Sequence, residues 1–578
     1  MQTNDGRLAI TYNGEIYNFQ QLRSELEGRG HAFQSQTDTE VLLLAYREFG
    51  PQCLERLRGM FAFAIWDRHD RSLFLARDRL GQKPLCYFED RDGIAFASEP
   101  KAFLADPSFT PRPNLQGISH YLSYQYVPTP ISGFVGIKKL PPAHYMLVKD
   151  GAVRIERYWR LSYAAKQELS EEEASEALLE KLTDAVRMRL ISDVPLGAFL
   201  SGGIDSATVV ALMANISSTP KTFSIGFDEK GYDELPYARQ VAERYATDHH
   251  EFIVRPQAIE ILPKLIWYFN EPYADSSAIP MYYLAQMTRQ HVTVALSGDA
   301  GDENFAGYDR YVANQLAGRL DRAPRAVTSA LRVLAGALPT SGGSRTLLAR
   351  ARRFFEAASE PRERRYARWM MHFHPSLKNE LCKPELRDAA GDSVALLVDA
   401  YAESDAPDFV DATLDVDVRQ YLLDDLLVKV DIASMAHGLE ARSPFLDHEV
   451  MEFAASLRSG LKLHGNTKKY ILKRAVRHLL PDEIIDRPKM GFGVPVEHWF
   501  RNELREMAHD ILLDSTTRQR GYFNHSCVER LLSEHVAGIR SWHYQLWNLL
   551  MLELWHRMFI DSRPTLAPDE RYGTGMTA

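Results

Sequence analysis

The stretch "LGAFLSGGIDSATVVALM" (Leu196–Met213) decides the fold of this chain. Leu196 to Leu200 reads as a buried strand, and Ala207, Val210, Ala211 and Ala214 mark one face of a following helix. Between them sit Ser201, Gly202, Gly203, Asp205 and Ser206. Two glycines let the backbone turn sharply and bring its N–H groups close to an anion at a helix N-terminus. The hydroxyls add donors, and Asp205 is placed to hold a metal that balances phosphate charge. An isolated SGG tripeptide is more often a simple capped turn. The order strand, SGGxDS, helix favours a phosphate loop, and it is not a Walker A loop because GxxxxGK[ST] is absent.

Downstream, "VTVALSGDAGDENFAGY" (Val292–Tyr308) repeats the design: a strand from Val292 to Leu296, then Ser297, Gly298, Asp299 and Asp302. Carboxylates at the end of a parallel strand lie where open α/β sheets bind ligands. Asp302 is expected to share Mg²⁺ with Asp205, and Asp299 to meet an activated intermediate. "KTFSIGF" (221–227) and "HHEFIV" (249–254) supply further strands between helical patterns, which argues for a parallel sheet. A helix with an acidic first turn starts after Ser170. The region from about 310 to 460 reads as helical, broken by the loop "PTSGGS" (339–344), and the aromatic stripes of 542–559 read as buried helix faces. Within this region Asp431, Glu440 and Arg442 lie in "LVKVDIASMAHGLEARSPFLDHEV" (427–450), a segment too apolar to be a free surface. Lys468-Lys469 opens a helix, and on local grounds a doubled lysine is a solvated face.

The first 105 or so residues differ. "FAFAIWD" (61–67), "SLFLARD" (72–78), "LCYFED" (85–90) and "IAFASE" (94–99) are short strands, with one helix around "TEVLLLAYREFG" (39–50). This is a layered α+β sandwich pattern. Leu8, Ile10 and Tyr12 alternate as a half-buried strand, and Asn13-Gly14 reads as a turn after it.

Bulk properties exclude several classes. A net charge of −9 over 578 residues leaves no dominant basic surface, so nucleic acid is not an expected partner. No apolar run of about 18 residues is present, so no membrane span is expected, and no signal peptide is read. Four cysteines without a CxxC pair suit reduced thiols in a cytoplasmic protein.

Taken together, "NGEIYNF", "TDTEVLL", "GMFAFAIWD", "LARDRLGQKPLCY", "LSGGIDS", "FSIGF", "LSGDAGDE" and "LEARSPFLD" resemble the glutamine-dependent asparagine synthetases of the two-domain class B type. The resemblance implies a glutaminase sandwich of the N-terminal nucleophile kind over 1–160, an adenylating α/β synthetase domain with a helical C-terminal part over 170–560, and a loose tail over 561–578. It implies ATP and Mg²⁺, with aspartate converted to asparagine through β-aspartyl-AMP. Leu200, Ile225, Ser297 and Gly298 would contact ATP, with Ser201, Gly202, Gly203 and Ser206 around its phosphates. Asp205 and Asp302 would hold Mg²⁺-pyrophosphate, Asp299 the intermediate, and Lys469 the charge developing at the acyl phosphate. Asn13, Gly14, Glu15 and Asp38 would form part of a glutamine pocket. Gln2 stands where that family carries its nucleophilic cysteine, and no cysteine precedes Cys53. The expectation is therefore a partial glutaminase, an N-terminally truncated chain that uses ammonia while its full-length form uses glutamine. A sugar-acid or peptide acceptor, a non-catalytic scaffold and a homodimer all stay open.

Overall fold

Strand β1 (Leu8–Ile16) runs unbroken through Asn13-Gly14, so the expected turn is a strand interior. β1 pairs antiparallel with β2 (Gly59–Asp67), from Leu8 opposite Asp67 to Ile16 opposite Gly59. A Cβ on Gly14 would lie 2.1 Å from the Met60 carbonyl oxygen, and one on Gly59 would lie 2.2 Å from that of Glu15. Glycine here serves the close approach of two backbones, not a reversal. Gly59→Ala should therefore push the strands apart and cost about 1–3 kcal/mol. Thermal melting reads this, and an unchanged Tm would mean the pairing has slack. The reversal lies upstream, where the Met1 amino group donates to Ile10 O at 3.0 Å and Thr3 N to Leu8 O at 3.0 Å. Residues 1–3 thus lie along the outer edge of β1.

The computed structural model describes residues 1–562 except 92, 218, 228–233, 255–257, 321–353, 359, 490 and 492. The expected "PTSGGS" loop and most of the expected tail lie outside the described residues. Sequence order continues with β3 (Ser72–Arg77), β4 (Cys86–Glu89), β5 (Ile94–Ala97), β6 (Ile137–Lys139), β7 (His144–Lys149) and β8 (Ala152–Arg157). The first sheet has the order β1-β2-β3-β7-β8, and a second has β5-β4-β6. Phe61, Phe63 and Ile65 pack on helices Phe19–Gly28 and Asp38–Phe49, while Ala62 and Ala64 pack toward Leu85, Tyr87 and Leu140. Both faces of β2 are covered, which is why its sequence is nearly continuously apolar.

The other strands are β9 (Leu196–Phe199), β10 (Lys221–Gly226), β11 (Asp248–Ile253), β12 (Val294–Leu296) and β13 (Glu440–Arg442). They form one parallel sheet in the order β11-β10-β9-β12-β13. The chain proceeds outward from β9 in one direction and from β12 in the other, so the crevice between these two is the topological switch point. The helix Glu171–Arg189 starts with a reciprocal cap between Ser170 and Glu173, as its acidic first turn suggested. Helix Ile204–Ile216 is buried on nearly every side, not on the single face expected, because it passes through the centre of the core. The aromatic stripe is a buried helix, His543–Trp555, whose Trp555 Nε1 donates to Asn270 O at 3.1 Å. Among the described residues no helix is long and apolar enough to cross a membrane.

The segment too apolar for a free surface is a seam between the two sheet systems. Asp431 accepts from Lys83 at 2.8 Å, Arg442 pairs with Glu15 at 3.3 Å, and Asp447 accepts from Arg58 at 2.8 Å. Charge alternates in sign along the seam, and Lys83, Arg442 and Asp447 are all buried.

Candidate functional site

The first phosphate-type loop leaves β9 at Leu200, whose N–H donates to Phe223 O at 2.8 Å. Ser206 Oγ accepts from Ser201 N at 3.2 Å, lies 3.0 Å from Ser201 Oγ and donates to Gly203 O at 3.2 Å. Gly203 caps the helix without a side-chain bond, so the first-turn N–H groups have no side-chain cap and are available to an anion. The second loop leaves β12, with Ser297 N donating to Arg442 O at 2.9 Å. A Cβ on Gly298 would stand 2.7 Å from Ser206 N and 2.8 Å from Asp205 Cβ. The two loops therefore touch, and only glycine permits it.

Between them opens a cavity of about 1080 Å³. Leu200, Ser201, Gly203, Asp205, Ser206, Ile225, Ser297, Gly298, Asp299, Asp302 and Lys469 all line it. Gly202 lies elsewhere, against Tyr237 and Ala238, with its carbonyl accepting from Arg487 at 3.1 Å. Lys469 is the N-cap of helix Tyr470–Ala475, with φ of 53° and its N–H donating to Phe305 O at 3.0 Å. Its Nζ bonds Asp205 and lies 2.7 Å from Asp302. Lys468 also lines the cavity, but its Nζ donates to Asp309 at 2.6 Å.

Burial raises the Asp205 carboxyl above the usual range, with Lys469 opposing and the Asp302 charge adding to the rise. Burial acts the same way on Asp302, but Lys469 and Lys489 outweigh it and hold that carboxyl below the usual range. Burial would lower the Lys469 ammonium, yet the two carboxylates raise it, so it stays charged. Asp299 is raised by burial and accepts from Ser297 Oγ at 2.6 Å. Asp205 Oδ1 is buried with no hydrogen-bond partner. Two converging carboxylates, one with a spare oxygen, suit Mg²⁺, which takes its remaining ligands from phosphate and water. No set of three side-chain ligands converges among the described residues.

Sequence reasoning missed Lys489, which pairs with Asp302, and Lys429, which pairs with Asp275 at 2.9 Å. It also missed Glu303, whose carboxyl is pushed up to about 7 by burial and by Asp302, and which accepts from Tyr308 at 2.5 Å. All of these residues line the cavity. Basic residues near glycine in "RPKMGFG" (487–493) were the available signal for Lys489.

The second group gathers on β1. Asp38 accepts from Tyr12 OH at 2.7 Å and from Ile16 N at 3.0 Å, and Asn13 Nδ2 reaches Ser98 Oγ at 3.5 Å. Glu15 is pushed up to about 7 by burial, with Arg442 opposing and Asp38 adding to the rise. Gly14 stands between them, pressed on Met60. Cys53 is buried and its thiol is pushed up by burial, so it is not a poised nucleophile.

Comparison with known proteins gives two family matches: asparagine synthase over residues 177–557 and a glutamine amidotransferase domain over residues 1–159. The glutamine amidotransferase domain is matched in this chain, so the expectation of truncation is not supported. Asparagine synthetase [glutamine-hydrolyzing] 1 of Bacillus subtilis (strain 168) is 33% identical over 96% of this chain and 86% of its own length. A putative asparagine synthetase [glutamine-hydrolyzing] of Mycobacterium tuberculosis (strain ATCC 25618 / H37Rv) is 34% identical over 96% of this chain and 85% of its own. Amidase chry2 of Gibberella zeae is 26% identical over 89% of this chain and 81% of its own.

Proposed function

Because this chain belongs to the asparagine synthase family, we infer that its cavity between β9 and β12 carries out the ATP-dependent amidation of aspartate, with glutamine as the nitrogen donor. The enzyme is a carbon–nitrogen ligase of the glutamine-hydrolysing type. The observation that carries this reading is the meeting of two strand-end loops around a lysine held between two carboxylates.

Residues 1–160 form the glutaminase unit and 170–560 the synthetase, working together in the cytoplasm. In the synthetase, Ser201, Gly203, Ser206 and the free N–H groups of the first helical turn take the phosphates. Leu200, Ile225, Ser297 and Gly298 seat the nucleoside side, and Gly202 acts only by shaping the turn. The β-carboxylate of aspartate attacks the α-phosphorus, the bond to pyrophosphate breaks, and β-aspartyl-AMP forms. Hydrolysis of the glutamine side-chain amide breaks its C–N bond, water supplies the oxygen of the glutamate formed, and ammonia is released. Ammonia then attacks the β-carbonyl carbon, AMP leaves with the C–O electrons, and the nitrogen loses a proton. Lys469 directs its ammonium at the charge that develops on the transferring phosphoryl oxygens. Asp299 orients the acceptor. Asp205 and Asp302 would hold Mg²⁺, which when bound neutralises phosphate charge. Asn13, Gly14, Glu15 and Asp38 bind glutamine on the other side of the seam.

Aspartate should stimulate exchange of labelled pyrophosphate into ATP, and glutamine plus aspartate should give asparagine. Exchange that ignores aspartate but answers to another carboxylate would replace the acceptor, and no exchange with any carboxylate would remove the ligase reading.

A further inference from the structure

Arg442 ends β13, the strand that edges the parallel sheet next to β12. It is 3% exposed, and its donors are shared among four partners. Nε donates to Glu440 at 2.6 Å. Nη1 donates to Ile191 O at 2.7 Å and to Arg189 O at 3.1 Å. Nη2 lies 3.3 Å from Glu15. Its own carbonyl takes the Ser297 N–H at 2.9 Å, and the next residue, Ser443, donates from Oγ to Asp299 O at 2.6 Å.

One residue therefore has its side chain on the β1 carboxylate and its backbone on the loop that lines the large cavity. Two of its side-chain partners are backbone carbonyls just ahead of β9, and Glu440 shares its own short strand. Glu15 is the partner that comes from the other sheet system, and the one whose charge a bound ligand would change. A ligand ammonium on Glu15 competes with the guanidinium for the same carboxylate oxygens. Any resulting shift of Arg442 is passed to Ser297 and Asp299 through bonds to the same backbone.

We propose that Arg442 is a positioning residue that links the occupancy of Glu15 to the geometry of the Ser297–Asp299 loop, so that the glutamine site and the ATP site sense each other. The proposal rests on the assignment of Glu15 to glutamine and of the loop to ATP. Linkage requires the effect to run both ways, so it can be read from the ATP side alone.

The test is calorimetric titration of the full chain with ATP in the presence of Mg²⁺ and without acceptor. Glu15→Gln leaves the bonds of Arg442 to Ile191, Arg189 and Glu440 in place, yet is expected to raise the Kd for ATP at least about five-fold. Arg442→Met should do the same or more, and the double variant should add nothing to Arg442→Met alone. Arg442→Lys should restore part of the affinity. If Arg442→Met does not fold, a cycle between Glu15→Gln and Ser443→Ala asks the same question, with non-additive effects expected. An ATP affinity unmoved by Glu15→Gln, or effects that combine as independent factors, overturns the link. The titration contains no acceptor, so it fails separately from the aspartate reading, which pyrophosphate exchange decides.

Discussion

Lys469→Ala is expected to lower aspartate-dependent exchange of pyrophosphate into ATP by about 10²–10³-fold, while Lys468→Ala keeps nearly the parent rate. The two residues are adjacent, but φ of 53° at Lys469 turns the chain so that their side chains diverge. Lys469 enters the cavity between Asp205 and Asp302, whereas Lys468 meets Asp309, whose side chain is 70% exposed. Lys468 borders the cavity too, but its charge is paired with this exposed carboxylate, and a pair of that kind is worth about 0–1 kcal/mol. Removing Lys469 has two consequences. The developing phosphoryl charge loses a donor, and two half-buried carboxylates are left facing each other without the cation that separates them. The Asp205 carboxyl, already raised by burial, should then rise further, so activity of the variant should need higher pH than the parent. Similar small losses at both lysines would return Lys469 to a structural role. Lys469→Arg is not expected to rescue, because a planar fork does not replace a point charge packed between two carboxylates.

The parts of this site that could be read from sequence are those whose chemistry is local. Strand, SGGIDS and helix lie within 21 consecutive residues, Leu196 to Ile216, and the structure forms them in that order. The second loop follows the same rule, from β12 through Ser297 to Asp302. Of the lysines that arrive from elsewhere, Lys469 was reached only through the family resemblance, and Lys489 and Lys429 were not read at all. Lys489 meets Asp302 across 187 residues, and Lys429 meets Asp275 across 154. Neither has a spacing relation to its partner that a linear pattern can carry. Asn13-Gly14 was misread for a related reason. The pair is a common turn signal, but a glycine is also needed where another backbone crosses within van der Waals distance, and that backbone belongs to Met60 and Phe61. The helix after the phosphate loop has no single apolar face because it is buried almost all round, so periodicity had little to detect. In "LVKVDIASMAHGLEARSPFLDHEV" the apolar setting of the charges was plain, but their partners Lys83, Glu15 and Arg58 lie more than 300 positions earlier.

Asp447→Ala is expected to destabilise the protein by about 3–5 kcal/mol, the usual consequence of leaving buried charges without their partner. Asp447 is fully buried, and its Oδ2 accepts from Arg58 Nε at 2.8 Å and from Arg189 Nη1 at 2.9 Å. Arg58 also reaches Asp184, but the Arg189 side chain is 2% exposed and its guanidinium packs over the Tyr17 ring at 4.5 Å. Without Asp447, Arg189 keeps one backbone carbonyl, Ala185 O at 3.2 Å, and no counter-ion for a full charge. A second loss accompanies this one, because Asp447 Oδ1 accepts from Glu449 N at 3.1 Å and caps helix His448–Ser456. Asn at this position can still cap, so Asp447→Asn should recover about 1 kcal/mol of the loss and leave the charge component exposed. The pH dependence follows from the direction of the shift. Burial would raise this carboxyl, but Arg189 and Arg58 outweigh it and hold it below its ordinary value of 3.8. A depressed folded value means that the stabilisation is present in full above the unfolded pKa and is lost as pH falls through it toward the folded one. The Tm of the parent should therefore drop steeply below about pH 4, and that of Asp447→Asn less steeply. Parallel acid profiles for parent and variant would show that the seam is held by packing and not by this ion pair. Replacing Arg58, Arg189 and Asp447 together by apolar residues should cost less than Asp447→Ala alone, since no buried charge then remains to be compensated.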